Sequence, residues 1–182
     1  PDGLVELFAC AQGGKEYESV MALYALPQDI HLALLLLNYK DGFPPHLEIE
    51  ESSRGDLLDV FVRWKEGEQT RQVRAEELLI DAETGQPVSK RFWVFLGSEF
   101  YAEPDPVTGE PVEVYAANVT GTVITTFFDP TAILHTTSVH GFDDTMHLAN
   151  GSLLPESGTP ITLRIQAAPQ EEVAALLETV RK

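Results

Sequence analysis

Cysteine is nearly absent: Cys10 is the only one in 182 residues. A lone thiol excludes an internal disulfide and any zinc or iron–sulfur centre built on several cysteines of one chain. Cationic side chains are scarce as well, with 12 Lys and Arg against 29 Asp and Glu and a net charge of −17. The acids are scattered from Asp2 to Glu178 rather than gathered in a tail. With no basic cluster to release phosphate counterions, neither nucleic acid nor an anionic membrane surface is an expected partner. The acidity reads first as solubility. Long apolar runs are also missing. The longest, residues 32–37, falls far short of the roughly 20 residues a membrane span needs, so no span is expected. The chain begins at Pro1 without a charged leader or cleavage site, as expected of a mature or trimmed form whose targeting segment lies outside it.

What is present is a globular composition, 43% apolar and 23% charged, long enough for one sizeable core. A single domain over residues 1–182 is the expectation. Residues 4–10 and 19–25 are apolar stretches separated by Gly13 and Gly14, the pattern of a hairpin. Pro27 and Asp29 suit the first turn of a helix over residues 28–39, and Gly42, Pro44 and Pro45 follow as stop signals. Its leucines leave almost no polar face, which predicts burial on most sides.

Residues 57–64 alternate apolar with polar, the period of a strand buried on one face; a turn at Glu66–Glu68 leads to a second strand over 70–74 and a helical turn over 75–79. Residues 81–88 and 105–112 share an Asp and a Gly four positions later, a bulged-turn chemistry with too few oxygen ligands for calcium. Further strands are expected over 91–96, 113–117, 121–128 and, most regularly, 161–166, with a short helix start at 129–134. Pro169, Glu171 and Glu172 open a C-terminal helix with a stripe of Val173, Leu176, Leu177 and Val180. Residues 135–158 read as a polar loop-like stretch. Hairpins outnumber helices and strand–helix alternation is absent. The fold class is therefore α+β: a mostly antiparallel sheet or partly open barrel with two to three packed helices, including the C-terminal one.

The order of the short motifs carries a resemblance. Gly13, Gly14, Lys15, Glu16, Tyr17, Glu18 and Ser19, then Ile30 through Leu36, Trp93-Val94-Phe95 with Gly97-Ser98, Leu154-Pro155 and Gly158 through Leu163 resemble the YdjY-like family of bacterial proteins over most of the chain. The resemblance implies a domain carried on exported or lipid-anchored envelope proteins, and so a periplasmic or envelope location; it assigns no reaction. Where the family's pattern often reads Lys-Glu-His-Glu-Ser, this chain has Tyr17, so no histidine can do chemistry at that position.

Read for chemistry, Gly13-Gly14-Lys15 is not a phosphate loop, because Glu16 stands where a Ser or Thr is required. On an extended strand Glu16 and Glu18 would share a face, as solvated acids beside a turn. Cys10 has no neighbouring base to make a thiolate and reads as a small buried hydrophobe. His31 and His46 stand alone and read as structural. His135, His140, Asp143, Asp144 and His147 form the densest set of metal-ligating types, suited to a divalent ion, although their spacing matches no zinc signature. The strand aromatics Trp64, Phe92, Trp93, Phe95, Phe100, Tyr101, Tyr115, Phe127 and Phe128 belong mostly to the core. Any left on an open face would line a groove for a peptide, glycan or apolar ligand. Asn118-Val119-Thr120 and Asn150-Gly151-Ser152 match glycosylation acceptors by chance. No catalytic residue or cofactor site emerges. The leading expectation is a non-catalytic binding or interaction module with a protein, peptide or glycan partner; a metal-binding protein or metal-dependent enzyme and a structural scaffold are the alternatives.

Overall fold

The computed structural model describes residues 3–42, 55–89, 91–137 and 143–180, the last five by backbone alone. His46, His140, Pro44 and Pro45 lie outside the described residues. In chain order the elements are β1 (Leu7–Ala11), β2 (Ser19–Leu23), α1 (Pro27–Leu36), β3 (Leu57–Glu66), β4 (Gln69–Arg74), β5 (Leu79–Asp81), β6 (Trp93–Phe95), β7 (Phe100–Pro104), β8 (Pro111–Tyr115), α2 (Ala116–Thr120), β9 (Thr122–Thr125), β10 (Leu134–Thr136), β11 (His147–Ala149), β12 (Ile161–Ala167) and α3 (Gln170–Val180). Short 3₁₀ turns cover Glu16–Glu18 and Ala75–Leu78.

The main sheet runs β12-β3-β6-β10-β9-β1-β2, with β4 also paired to β3, and it curls into a half-barrel. Most neighbours are antiparallel; β10–β9 and β1–β2 are parallel. The α+β expectation of a partly open, mainly antiparallel sheet with few helices therefore holds. Strand β3 is the longest element of the sheet and carries two partners along one edge: its first residues pair with β6, and Phe61–Glu66 pair with β4. Phe8, Leu58, Val60, Trp93, Phe95, Ile124 and Leu134 form the centre of the core, with the Phe8 and Trp93 rings 5.5 Å apart. Two small ladders stand outside the main sheet, β5 with β11 and the hairpin β7–β8. Among the described residues no helix is long and apolar enough to cross a membrane.

Four local expectations are corrected. First, β1 and β2 are parallel neighbours rather than a hairpin. The chain turns at Gly13 (φ 80°) and runs back through the 3₁₀ turn before β2 starts again level with Leu7. The return is held by Gly13 N–H donating to Glu16 Oε1 (2.7 Å) and by the Ser19 hydroxyl donating to the Lys15 carbonyl (2.7 Å). Glu16 and Glu18 thus sit on a 3₁₀ turn, not on one face of a strand, and Glu18 pairs with Lys15 at 2.9 Å. Second, α1 is not covered on most sides: within it only Pro27 and Leu34 are buried. Third, the described part of residues 135–158 is not loop throughout, since the end of β10 and the whole of β11 lie in it and both His135 and His147 are 2% exposed. Fourth, residues 129–133 form a turn leading into β10 instead of a helix start, because Asp129 Oδ1 accepts from both the backbone N–H and the hydroxyl of Thr131 at 2.8 Å.

The two Asp-Gly loops behave as their chemistry predicts. Asp81 Oδ1 accepts from Glu83 and Thr84 N–H, Asp105 Oδ1 accepts from Val107 and Thr108 N–H, and Gly85 and Gly109 take positive φ. The thiol of Cys10 is fully buried, and burial, its largest influence, pushes its pKa up, which fits a core hydrophobe rather than a nucleophile. In α3, Val173 is half-buried; the rest of its apolar stripe lies outside the described side chains.

Candidate functional site

Helix α1 begins at Pro27, whose missing N–H costs nothing at a helix start. It ends where Asn38 enters the left-handed region (φ 64°) and donates its N–H to Leu35 O. Beyond it, the backbone N–H of Lys40 donates to Asp56 Oδ2 (2.9 Å) and that of Gly42 to Phe95 O (2.9 Å). These bonds fix Asp41 beside His31. At its N-terminal end the helix is clamped to α2 by a reciprocal pair: Gln28 N–H donates to Asn118 Oδ1 (3.1 Å) and Asn118 Nδ2 donates to Gln28 Oε1 (2.6 Å).

A cleft of about 240 Å³ opens between α1 and the base of the β7–β8 hairpin, lined by Gln28, His31, Leu32, Leu35, Phe100 and Tyr115. Residues 28, 31, 32 and 35 recur at helical spacing, so one stripe of α1 forms a wall. Phe100 and Tyr115 are opposed in the hairpin register, with ring centroids 4.9 Å apart, and form the other wall. Leu32 is 55% exposed and Phe100 56%; Leu26, Leu36, Leu37 and Val119 extend the exposed apolar surface along α1 and α2.

The floor is polar. His31 stacks on Tyr115 and meets Phe95 edge-on, each at 5.5 Å between centroids. Its Nδ1 lies 2.9 Å from the Tyr115 hydroxyl, which also donates to Gly97 O at 3.0 Å. Its Nε2 faces Asp41 Oδ2 at 3.4 Å, a separation and direction that orient the ring by charge rather than by a good hydrogen bond. Burial lowers the His31 pKa and Asp41 opposes it; the net shift is downward. The ring is then neutral at pH 7. Burial, with Asp41 adding to it, raises the Tyr115 hydroxyl well above its ordinary value. An Asp–His–Tyr chain has the order of a proton relay, but its last member is a phenol held neutral on a backbone carbonyl. What the cleft offers a ligand is apolar surface.

Gly97 and Ser98 close the floor in consecutive left-handed conformations, φ 82° and 64°. A Cβ at Gly97 would lie 2.9 Å from His31 Nε2 and 3.0 Å from Asp41 Oδ2, so only glycine leaves room for that pair. Ser98 keeps its unfavourable φ because its hydroxyl donates to Thr131 O (2.8 Å) and accepts from Ala117 N–H (3.1 Å).

Of the sequence-derived metal set, His140 lies outside the described residues, and the others are placed as follows. His135 lies in β10 of the main sheet, its ring 4.6 Å from that of Phe128, whereas His147 lies in β11 opposite Asp81 of β5. Asp143 Oδ1 accepts from the Thr145 N–H and hydroxyl, and Asp144 is exposed. Among the described residues, no group of three or more His, Cys, Asp or Glu is placed to hold a metal ion. The glycine-rich motif serves the backbone: a Cβ on Gly14 would meet Ala11 O at 3.0 Å and Gly121 Cα at 3.4 Å. Sequence reasoning set His31 aside as structural and placed Phe100 and Tyr115 in a general aromatic inventory. The one available signal was a helix too apolar for its length, and that pattern does not distinguish a buried helix from one with an uncovered face.

Sequence reasoning also missed a buried charge cluster. Arg74, at the end of β4, bonds to Asp59 of β3 and, at 2.6 Å, to Glu76 of the following 3₁₀ turn; both acids are under 3% exposed. Glu76 further accepts from Arg91 N–H at 3.2 Å. Strand β3 is accordingly buried on both faces over Leu58, Asp59 and Val60.

Fold and cleft together define a class: an α+β domain built on a curled mixed sheet, with an apolar cleft between its first helix and a projecting hairpin. Within that class the chain belongs to the YdjY domain family, whose match spans residues 2–166 and stops just short of the end of β12, before α3. No curated protein and no solved structure matches the chain.

Proposed function

We propose that this YdjY domain is a non-catalytic binding module of the bacterial envelope, and that it works through the cleft between α1 and the β7–β8 hairpin. One observation carries the reading: Leu32 and Leu35 of α1 face Phe100 across an open cleft instead of joining Leu34 in the core. Exposed apolar area of this kind costs solubility unless something covers it. Both candidate chemical groups at the floor, His31 and Tyr115, are held neutral and engaged with protein partners, which supports binding over catalysis. The envelope location follows from what the family resemblance implies.

A photo-crosslinking residue replacing Leu32 in living cells tests this. It is expected to capture a discrete partner that a Phe100→Ser substitution abolishes, while the same residue replacing Val107, 90% exposed at the hairpin tip, captures none. Because Phe100 is exposed, Phe100→Ser should cost less than about 1 kcal/mol of stability. Equal capture from both positions, or none from Leu32, would overturn the reading.

A further inference from the structure

The charge around the cleft goes further and says what kind of segment it takes. Between Lys15 and Lys40, and again between Arg91 and Arg164, the chain contains no Lys or Arg. Both walls of the cleft come from these stretches: α1 from the first, and the floor loop, the β7–β8 hairpin and α2 from the second. Acids remain on both sides. Asp29 lies in the first turn of α1 and Asp41 just past its end, 46% exposed beside His31. Glu113 is on the hairpin face that carries Phe100 and Tyr115, and Glu99 precedes Phe100. Lys40 follows α1 and precedes Asp41, and its backbone N–H donates to the Asp56 carboxylate.

From this we infer that the occupant is a cationic protein segment that places one apolar side chain in the cleft and its Lys or Arg neighbours against the acids of the rim. The inference rests on the binding reading above. The volume supports one side chain rather than a free organic ligand, because ligand pockets usually run to about 300–1,000 Å³ while this cleft holds about 240 Å³. A second copy of the chain would bring further acid against acid, from a molecule of net charge −17. Opposite charge on the segment speeds encounter and selects the partner, while the apolar anchor supplies contact energy.

The test uses the whole chain and four blocked pentapeptides, Lys-Lys-Phe-Lys-Lys, Lys-Lys-Ala-Lys-Lys, Glu-Glu-Phe-Glu-Glu and Gly-Ser-Phe-Ser-Gly. Each is titrated while the amide resonances of α1 and of residues 97–116 are followed. The first peptide should shift those resonances and bind at least about tenfold more tightly than any other. That binding should weaken severalfold as salt rises from about 0.05 to about 0.3 M, and be lost in a Leu32→Ser, Phe100→Ser variant. Phenylalanine peptides that bind alike whatever their charge, and fail on the variant, would overturn the cationic partner while the cleft still stands as a binding site. If no peptide shifts these resonances, the cleft reading falls as well. Lysine peptides that bind without regard to Phe or to the variant would reveal surface charge alone and overturn the inference. Concentration-dependent self-association lost in the variant would do so in favour of a second copy.

Discussion

Gly97 is the residue on which the cleft floor depends most directly. Its φ of 82° suits glycine, and the space where a Cβ would go is taken by His31 and Asp41. Gly97→Ala therefore carries two penalties, one in the backbone and one from displacing a buried imidazole. Urea unfolding should show a loss of about 1–3 kcal/mol, with the His31 resonance titrating differently as the ring moves away from Asp41. A loss below about 0.5 kcal/mol, typical of an inert surface change, would mean that the floor accommodates a side chain after all. The same crowding explains why Ser98 is held by two hydrogen bonds: without them, nothing offsets its positive φ.

Among the elements, β3, β4 and the turn that follows are fastened by Arg74. Its guanidinium lies between Asp59 and Glu76 and over the ring of Phe61, 5.2 Å from the centroid. Removing the cation leaves two buried carboxylates facing each other. Arg74→Ala should then cost about 3–5 kcal/mol. Arg71 makes a useful contrast on the same strand: it pairs with Glu66 at 3.4 Å, with side chains 37% and 64% exposed, so Arg71→Ala should cost under about 1 kcal/mol. Equal losses from the two substitutions in chemical denaturation would show that the buried cluster gives β3–β4 no special hold. The alternation of β3 was legible in its sequence, but the partner of Asp59 was not, because Arg74 lies fifteen positions away and is brought opposite only by the β3–β4 register. Likewise, Gly13-Gly14 was legible as a turn. Whether β2 would return antiparallel or parallel depended on Glu16 capping Gly13 and on Gly14 meeting Gly121, a contact more than a hundred residues away along the chain.

For the whole molecule, acid is the informative perturbation. Burial holds the His135 pKa down at about 4, against an ordinary 6.5, with the Thr136 backbone opposing it weakly. The unfolded chain takes up a proton near pH 6.5 that the fold refuses until about pH 4. Stability should fall across that window and stop falling, for this group, below it; His31 acts in the same direction. The full contribution is on the order of 3 kcal/mol. In His135→Leu, the stability curve should lose up to about 1.4 kcal/mol per pH unit of slope between pH 6.5 and 4, so acidification costs the wild type more than the variant. Parallel curves would mean that His135 titrates normally in the fold.

Composition and periodicity by themselves determined the class of this protein. Apolar content and length set one sizeable core, apolar stretches and two alternating runs placed most strands, the Asp and Gly positions set both bulged loops, and a single cysteine ruled out internal cross-links. These properties rest on local conformational preference, which a sequence states directly. Only the tertiary structure decided which apolar surface stayed open. It withheld a covering layer from α1, set Phe100 and Tyr115 opposite its leucines, and separated His135 from His147 into different sheets. The physical reason is that burial belongs to a pair of surfaces: the leucines of α1 are identical as a sequence whether or not another element lies across them.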